Sequence, residues 1–195
     1  MIHNLDARRR YWDDPRNRAP REDHDLTDSV PYPFEPMVSM FRDKDVLEIG
    51  PGRGRQYDRL KCIPSSYSVC DISPACLAEQ AFNGVDRKYL LSSYEDDFVE
   101  RFDLIHFWYV LHHVRLDELD NFFAFVARHL RPGGLAMFNT PQSGNVAEWY
   151  VDDGMGTTKI DRGMVRTAYR PHLETLDVYC QDERSSGDLF VTRKR

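Results

Sequence analysis

Residues 45 to 54 read Asp45-Val46-Leu47-Glu48-Ile49-Gly50-Pro51-Gly52-Arg53-Gly54. The first half is typical of a short buried strand, because apolar residues dominate it and charge and glycine bound it. Three alternating glycines follow, and residues 53–62 are compatible with a helix. A glycine-rich turn between a strand and a helix lets a ligand approach the bare backbone. The pattern therefore predicts a turn that binds a nucleotide-like molecule.

The acid Glu48 distinguishes this turn from a dinucleotide site. A pyrophosphate on the turn would be repelled by a carboxylate so close to Gly50, whereas a cationic amine or a sugar hydroxyl would be attracted. The glycines also alternate as G-x-G-x-G, unlike the G-x-G-x-x-G of the dinucleotide fingerprint. Segment 48–54 resembles motif I of the class I S-adenosylmethionine-dependent methyltransferases.

Length and composition fit one globular domain. The chain has 195 residues, of which 41% are hydrophobic and 30% charged, so a sizeable core is expected. The net charge of -6 argues against nucleic-acid binding. The longest nearly apolar run, 104–111, is too short to cross a membrane. The N-terminus lacks the apolar core of a secretion signal, and the cysteines lack zinc-site spacing, so we expect a cytoplasmic protein without a metal.

Strand and helix patterns alternate along the chain. Strand patterns occur at 45–49, 67–71, 88–91, 102–108 and 135–138, and helical patterns at 73–84 and 116–130. The spacing favours right-handed crossovers and a parallel sheet. The last two β-like runs, 173–180 and 188–192, are too close for a helical crossover and must pair antiparallel. We predict an α/β fold with a doubly wound, mostly parallel seven-stranded sheet ending in an antiparallel hairpin, with helices on both faces, as the methyltransferase resemblance implies.

The predicted organisation is an N-terminal arm with a short helix, 1–43, followed by the methyltransferase domain, 44–195. Residues 1–33 are polar and rich in proline, which predicts irregular structure, and the basic cluster there is interpreted as part of a solvated tail. Two aromatic residues of the arm, Tyr11 and Trp12, either fold back as a lid or only anchor the arm. A long loop at 139–170 is expected to bind the substrate.

Asp71 stands at the end of the second predicted strand, about 20 residues after the glycine turn, where ribose recognition places an acid. In a doubly wound sheet this strand end lies beside the end of the first strand, at the ligand crevice. A carboxylate there can accept hydrogen bonds from both ribose hydroxyls. We therefore expect Asp71 to bind the ribose of a nucleoside cofactor.

The resemblance implies S-adenosyl-L-methionine as the cofactor. The glycine backbone would contact its amino-acid and ribose portions, and Glu48 its ammonium. The segment after strand three would contact the adenine, although it begins with serine where many members of the family carry an acid. The end of strand four would flank the methionine part. The cofactor residues expected in this way are Glu48, Gly50, Gly52, Gly54, Asp71, Ile72, Ser92, Ser93, Tyr94, Phe107 and Trp108.

Two histidines follow strand four, in Val110-Leu111-His112-His113-Val114. One interpretation makes His113 or His112 a general base, because a neutral imidazole can remove a proton near pH 7. The other is that the pair, common here in the family, only shapes the site. No carboxylate or cysteine cluster in the sequence accompanies them, so a metal is not expected.

Aromatic residues near the expected substrate site form a candidate pocket for a flat ring or an amine cation. The residues expected to bind the substrate are Tyr11, Trp12, Tyr109, Trp149 and Tyr150. The sequence thus favours a methyltransferase acting on an oxygen, nitrogen or carbon atom of a small molecule. The alternative is a non-catalytic cofactor-binding partner of another subunit, and a Rossmann oxidoreductase is disfavoured by Glu48. The oligomeric state is left open.

Overall fold

The structure is a computed structural model that describes residues 5–18, 34–140, 149–152, 155–158, 162–179 and 188–195. Its helices are α1 (Leu5–Asp13), α2 (Phe34–Phe41), α3 (Arg55–Leu60), α4 (Pro74–Leu77), α5 (Leu119–His129) and α6 (Arg162–Tyr169). Its strands are β1 (Asp45–Ile49), β2 (Ser66–Asp71), β3 (Arg87–Leu90), β4 (Phe102–Phe107), β5 (Leu130–Asn139), β6 (Trp149–Asp152), β7 (Met155–Thr158), β8 (Leu173–Tyr179) and β9 (Leu189–Lys194).

Seven strands form one sheet in the order β3-β2-β1-β4-β5-β9-β8. Strands β3, β2, β1, β4 and β5 run parallel, while β9 pairs antiparallel with both β5 and β8. The predicted seven-stranded sheet with a terminal antiparallel hairpin is confirmed. Strand order reverses between β1 and β4, and ligands of doubly wound sheets bind outside the carboxyl ends of the strands at such a point.

A separate hydrophobic core packs against each face of the sheet. One core is dominated by the phenylalanines of α5, which pack on Phe107 and Phe138 of neighbouring strands. The other joins α2 and α3 to the opposite face of β1 and β2. The apolar residues of α5 therefore pack against the sheet, as their i, i+3, i+4 spacing predicts.

Several predicted boundaries differ from the structure. The helix expected to begin at Ser73 and end at Asn83-Gly84 is broken: α4 ends at Leu77, and a 3-10 helix covers Gln80–Gly84. Its start is as predicted, since Ser73 caps the Cys76 amide at 3.0 Å and Pro74 follows. The helical pattern at 116–130 also begins with a 3-10 turn, so α5 starts only at Leu119.

The prediction of irregular structure for the whole of residues 1–33 is wrong for 5–18. Residues 5–13 form α1, and a 3-10 turn follows at Pro15–Arg18; the rest of the segment lies outside the described residues. The solvated-tail interpretation also fails for Arg8, which is buried. Its Nη1 donates to the His113 carbonyl at 2.8 Å, and its Nη2 pairs with the buried Glu118.

A second arginine ties α1 to the edge of the sheet. Arg9 donates to the Ile72 carbonyl at 2.8 Å and to the Leu91 carbonyl at 3.2 Å. At the end of α1, Asp13 accepts a hydrogen bond of 2.6 Å from the Ser73 hydroxyl. Helix α1 therefore lies across residues that follow β2, β3 and β4.

Replacing Arg8 by methionine should release α1 while the sheet stays folded. Arg8→Met keeps an unbranched apolar stem but leaves Glu118 buried without its partner, which costs about 3 kcal/mol. Hydrogen exchange should show lost protection in α1 amides. The neighbouring Arg10 is exposed, so Arg10→Met serves as the matched control. Equal exchange of α1 in both variants would contradict the anchoring role of Arg8.

Candidate active site

The glycine turn after β1 has a backbone that other residues adopt only with strain. Gly50, Gly52 and Gly54 have φ angles of 66°, 56° and 82°, which favour glycine. The Gly50 amide donates to the Cys70 carbonyl at 2.8 Å, which ties the turn to β2. A Cβ atom on Gly50 would lie 2.6 Å from Cγ2 of Val110. The absence of a side chain at Gly50 therefore lets the loop that follows β4 pack directly on the turn.

Two carboxylates flank the turn, and both are buried. Burial raises the pKa of Glu48 to about 8; the hydrogen bond from Tyr67 opposes this shift, and the charge of Asp71 adds to it. Burial likewise raises the pKa of Asp71 to about 6, against the hydrogen bond from the Ser73 amide and with the help of Asp13. Two desolvated acids, each with a further carboxylate nearby that disfavours its charge, make a site that a bound cation would relieve.

Asp71 and the residue after it are held by contacts from α1 and from the residues that follow β2. Asp71 Oδ1 accepts from the Ser73 amide at 2.8 Å, and the carbonyl of the next residue, Ile72, is held by Arg9. Asp71 and Ile72 thus lie under the N-terminal helix, at the end of β2 where the sequence predicts ribose binding.

The segment after β3 is shaped by an acid that the sequence interpretation did not single out. The amides of Ser92 and Ser93 donate to Asp96 Oδ2 at 2.7 and 3.1 Å. Ser92 is exposed, but Tyr94 is buried, with its ring 5.5 Å from that of Phe122. The Tyr94 side chain therefore packs in the core, and the adenine role of the segment stays a prediction.

The two predicted cofactor residues at the end of β4 differ in burial. Phe107 is fully buried and stacks on Phe138 with 4.9 Å between centroids, so the core takes up its side chain. Trp108 is half-buried, and its indole NH donates to Nδ1 of His106 at 2.7 Å. Next to it, Tyr109 has a φ of 56°, a left-handed conformation that is costly for a non-glycine residue.

That conformation is held by a side chain at the end of β5. The Tyr109 amide donates to Asn139 Oδ1 at 2.7 Å. Asn139 is buried, and its Nδ2 has no hydrogen-bond partner among the described residues. An unsatisfied buried donor is expensive, so Asn139 is a candidate to donate to a ligand. Asn139 begins the predicted substrate loop but was not singled out in the sequence, since an asparagine after a strand is most simply a turn residue.

The histidine pair forms a 3-10 turn at Leu111–His113. The two imidazoles lie 3.7 Å apart, and Trp12 of α1 approaches His113 edge-on at 5.3 Å. Burial lowers the pKa of His112 to about 4, and burial with the nearby His112 and Arg8 lowers that of His113 well below its ordinary value. Both rings are therefore neutral at pH 7 but weakly basic.

The candidate aromatic residues lie on elements around this turn. Tyr11 packs on Trp12 at 5.2 Å, and Trp12 reaches His113. Trp149 and Tyr150 belong to β6, which pairs with β7; the structure does not describe the positions of their side chains. Strand β7 contacts both α1 and the histidine turn. The remainder of the predicted substrate loop includes α6 and segments outside the described residues.

Two further absences apply to the described part of the chain. It contains no group of three or more His, Cys, Asp or Glu side chains placed to hold a metal ion. Nor does any helix in it have the length and apolar character needed to cross a membrane.

The fold and the site together define a Rossmann-like protein with a crevice for a nucleoside cofactor. A family model described as a methyltransferase domain matches residues 6–169. The chain belongs to this family, and the predicted class I, S-adenosylmethionine-dependent resemblance is confirmed, as are the methyltransferase activity and the cofactor that go with it. No curated protein sequence matches the chain significantly.

Solved structures agree in fold. The N-methyltransferase NodS from Bradyrhizobium japonicum WM9, in complex with S-adenosylhomocysteine, has a TM-score of 0.67 at 19% identity over 96% of this chain and 98% of its own. CalS10, an amino pentose methyltransferase from Micromonospora echinaspora, has a TM-score of 0.67 at 15% identity over 100% and 97%. The 1,6-didemethyltoxoflavin-N1-methyltransferase of Burkholderia thailandensis has a TM-score of 0.64 at 19% identity over 90% and 83%.

The buried Glu48 should make the unliganded protein less stable as pH rises. An unfolded chain releases this proton near pH 4.5, whereas the folded chain keeps it to about pH 8. The folded state thus binds more protons in that window, so the free energy of unfolding is highest below it and falls through it. Glu48→Gln should flatten the fall and stabilise the protein at pH 8 by about 1–3 kcal/mol.

Denaturant unfolding at several pH values measures this effect. The exposed Glu95 provides the matched control, since Glu95→Gln should follow the wild-type profile. A Glu48→Gln variant with the wild-type pH profile would show that the carboxyl is not held protonated by burial.

Proposed function

We propose that the chain transfers a methyl group from S-adenosylmethionine to an oxygen, nitrogen or carbon nucleophile of a small molecule. The observation that carries the proposal is the pair of buried acids, Glu48 and Asp71, on neighbouring strand ends beside the bare glycine turn. A sulfonium nucleoside with an ammonium group supplies the positive charge that this pair lacks.

The residues present fit that cofactor. In the proposed arrangement Glu48 accepts from the ammonium, and Asp71 accepts from the ribose hydroxyls with Ile72 beside it. The backbone of the turn at Gly50, Gly52 and Gly54 lies beside the cofactor in this arrangement. Ser92, Ser93 and Tyr94 remain the proposed adenine segment through their backbone, because the ring of Tyr94 packs on Phe122.

When bound, S-adenosylmethionine supplies a methyl group on a positively charged sulfur, which is already activated towards nucleophiles. The chain therefore has mainly to position the nucleophile in line and to exclude water. In this proposal α1 covers the crevice through Arg8 and Arg9, and Trp108 and Tyr109 line its methyl end. Closing such a cover strengthens the electrostatic contacts beneath it.

The histidine pair contributes more to shape than to proton transfer in this proposal. A general base works best when its pKa lies near the working pH, and burial lowers the pKa of His112 to about 4. His112 and His113 are neutral, so they can accept a hydrogen bond from a substrate hydroxyl or amine. They are weak bases, which leaves the nucleophile's proton to water or to substrate ionisation.

The acceptor is proposed to be a small molecule with a ring or an amine. The similar structures include methyltransferases for an amino pentose and for 1,6-didemethyltoxoflavin, and an N-methyltransferase. Aromatic residues around the histidine turn support a flat or cationic acceptor. Tyr11, Trp12, Tyr109, Trp149 and Tyr150 are the proposed substrate residues.

Replacing Asp71 by alanine should weaken binding of S-adenosylhomocysteine by about 1–3 kcal/mol, because ribose hydroxyls lose a charged acceptor. Titration calorimetry measures the change directly. Asp58 lies on the exposed surface of α3 in an ion pair with Lys61, so Asp58→Asn is the control that should bind as the wild type does. Unchanged affinity in Asp71→Ala would remove this residue from the site.

Transfer of a radiolabelled methyl group from S-adenosylmethionine to a panel of sugars, amines and heteroaromatic metabolites tests the reaction. We expect labelled product with at least one class. Tight cofactor binding with no transfer to any class would favour the non-catalytic partner instead.

A further inference from the structure

Four polar side chains form a continuous chain across one face of the sheet, from the end of β4 to Glu48. Trp108 Nε1 lies 2.7 Å from His106 Nδ1, His106 Nε2 lies 2.9 Å from the Tyr67 hydroxyl, and that hydroxyl lies 2.7 Å from Glu48 Oε2. His106 and Glu48 are register partners on adjacent strands. All but Trp108 are buried.

The direction of these hydrogen bonds follows from the indole. An indole NH only donates, so Nδ1 of His106 must accept. The neutral ring then carries its proton on Nε2 and donates it to the Tyr67 oxygen. The Tyr67 hydroxyl is left to donate to Glu48 Oε2, so each donor in the chain points towards the carboxylate.

The chemistry of the surroundings agrees with this direction. Burial lowers the pKa of His106 to about 3, so the ring is neutral and has one proton to place. Burial and Glu48 raise the pKa of Tyr67, so its hydroxyl keeps its proton. The rings are also fixed by packing, since Phe41 contacts His106 at 5.1 Å and Tyr57 contacts Tyr67 at 5.2 Å.

We propose that Tyr67, His106 and Trp108 are positioning residues that orient Glu48 for the cofactor ammonium. The inference rests on the proposed role of Glu48. Because Tyr67 donates to Oε2, a protonated Glu48 must carry its proton on Oε1. An arriving ammonium can then replace that proton without any rearrangement of the carboxyl group, which reduces the cost of binding.

The arrangement also links two predicted cofactor residues through two that the sequence analysis did not select. In the proposed binding mode, Trp108 borders the methyl end of the crevice, and Glu48 borders the amino-acid end. A change in the indole position therefore reaches the ammonium contact through His106 and Tyr67.

The first test compares two ligands that differ in the amino-acid portion, which carries the ammonium. S-adenosylhomocysteine carries the amino-acid group, and 5′-methylthioadenosine lacks it. Tyr67→Phe should weaken S-adenosylhomocysteine binding about tenfold, as expected for one lost hydrogen bond to a charged partner, and leave 5′-methylthioadenosine binding unchanged. Tyr57→Phe, which removes a hydroxyl from the ring packed on Tyr67, should change neither.

Two further variants separate positioning from packing. His106→Gln keeps a side-chain donor for Tyr67 and should retain more affinity for S-adenosylhomocysteine than His106→Leu. In a Glu48→Gln background, Tyr67→Phe should add little to the loss, because the residue acts through Glu48. Equal losses for both ligands, or additive effects in the double variant, would overturn the proposal and leave a structural role.

A third measurement needs neither ligand nor variant. Nitrogen-15 NMR of the wild-type protein should show His106 protonated on Nε2 and unprotonated on Nδ1. The opposite tautomer would overturn the chain of donors even if the protein binds its cofactor. Failure of the wild type to bind S-adenosylhomocysteine would instead overturn the proposed function, and the positioning role with it.

Discussion

The site depends on two acids that the fold removes from water at neighbouring strand ends. Parallel pairing of β1 with β2 brings Glu48 and Asp71 to one edge of the sheet, beside the glycine turn. Burial raises the pKa of both. We therefore expect the unliganded protein to lose stability as the pH rises through these pKa values, and in our proposal a cationic cofactor recovers part of that cost.

The sheet could be predicted from sequence because its signals are local. The central parallel strands β1, β2 and β4 are short, largely buried runs, and two runs too close for a helix must form a hairpin, which β8 and β9 do. Helix α1 could not be predicted in this way. Its sequence is polar, and what fixes it are contacts far along the chain, from Arg8 to His113 and Glu118 and from Arg9 to Ile72 and Leu91.

The residues of the candidate site that the sequence did not single out also depend on contacts between distant parts of the chain. Tyr67 lies on β2 and His106 on β4. The two side chains contact each other across β1, which lies between these strands in the sheet. In isolation, a tyrosine and a histidine in apolar strands are most simply core residues. The importance of Asn139 is seen only from its hydrogen bond with the Tyr109 amide, and that of Val110 only from its close contact with Gly50. Glu48, Asp71 and the glycines, by contrast, are candidates from their spacing along the sequence alone.

Proton release on cofactor binding tests the central claim most directly. Near pH 7 a carboxyl with a pKa of about 8 is mostly protonated, and an ammonium at Glu48 should expel that proton. Calorimetric titration of S-adenosylhomocysteine in phosphate and in Tris should give heats that differ by the ionisation enthalpy of the buffers, with release approaching about one proton. Identical heats in the two buffers would mean that no proton leaves, and would contradict the account of Glu48 as a buried acid awaiting a cation.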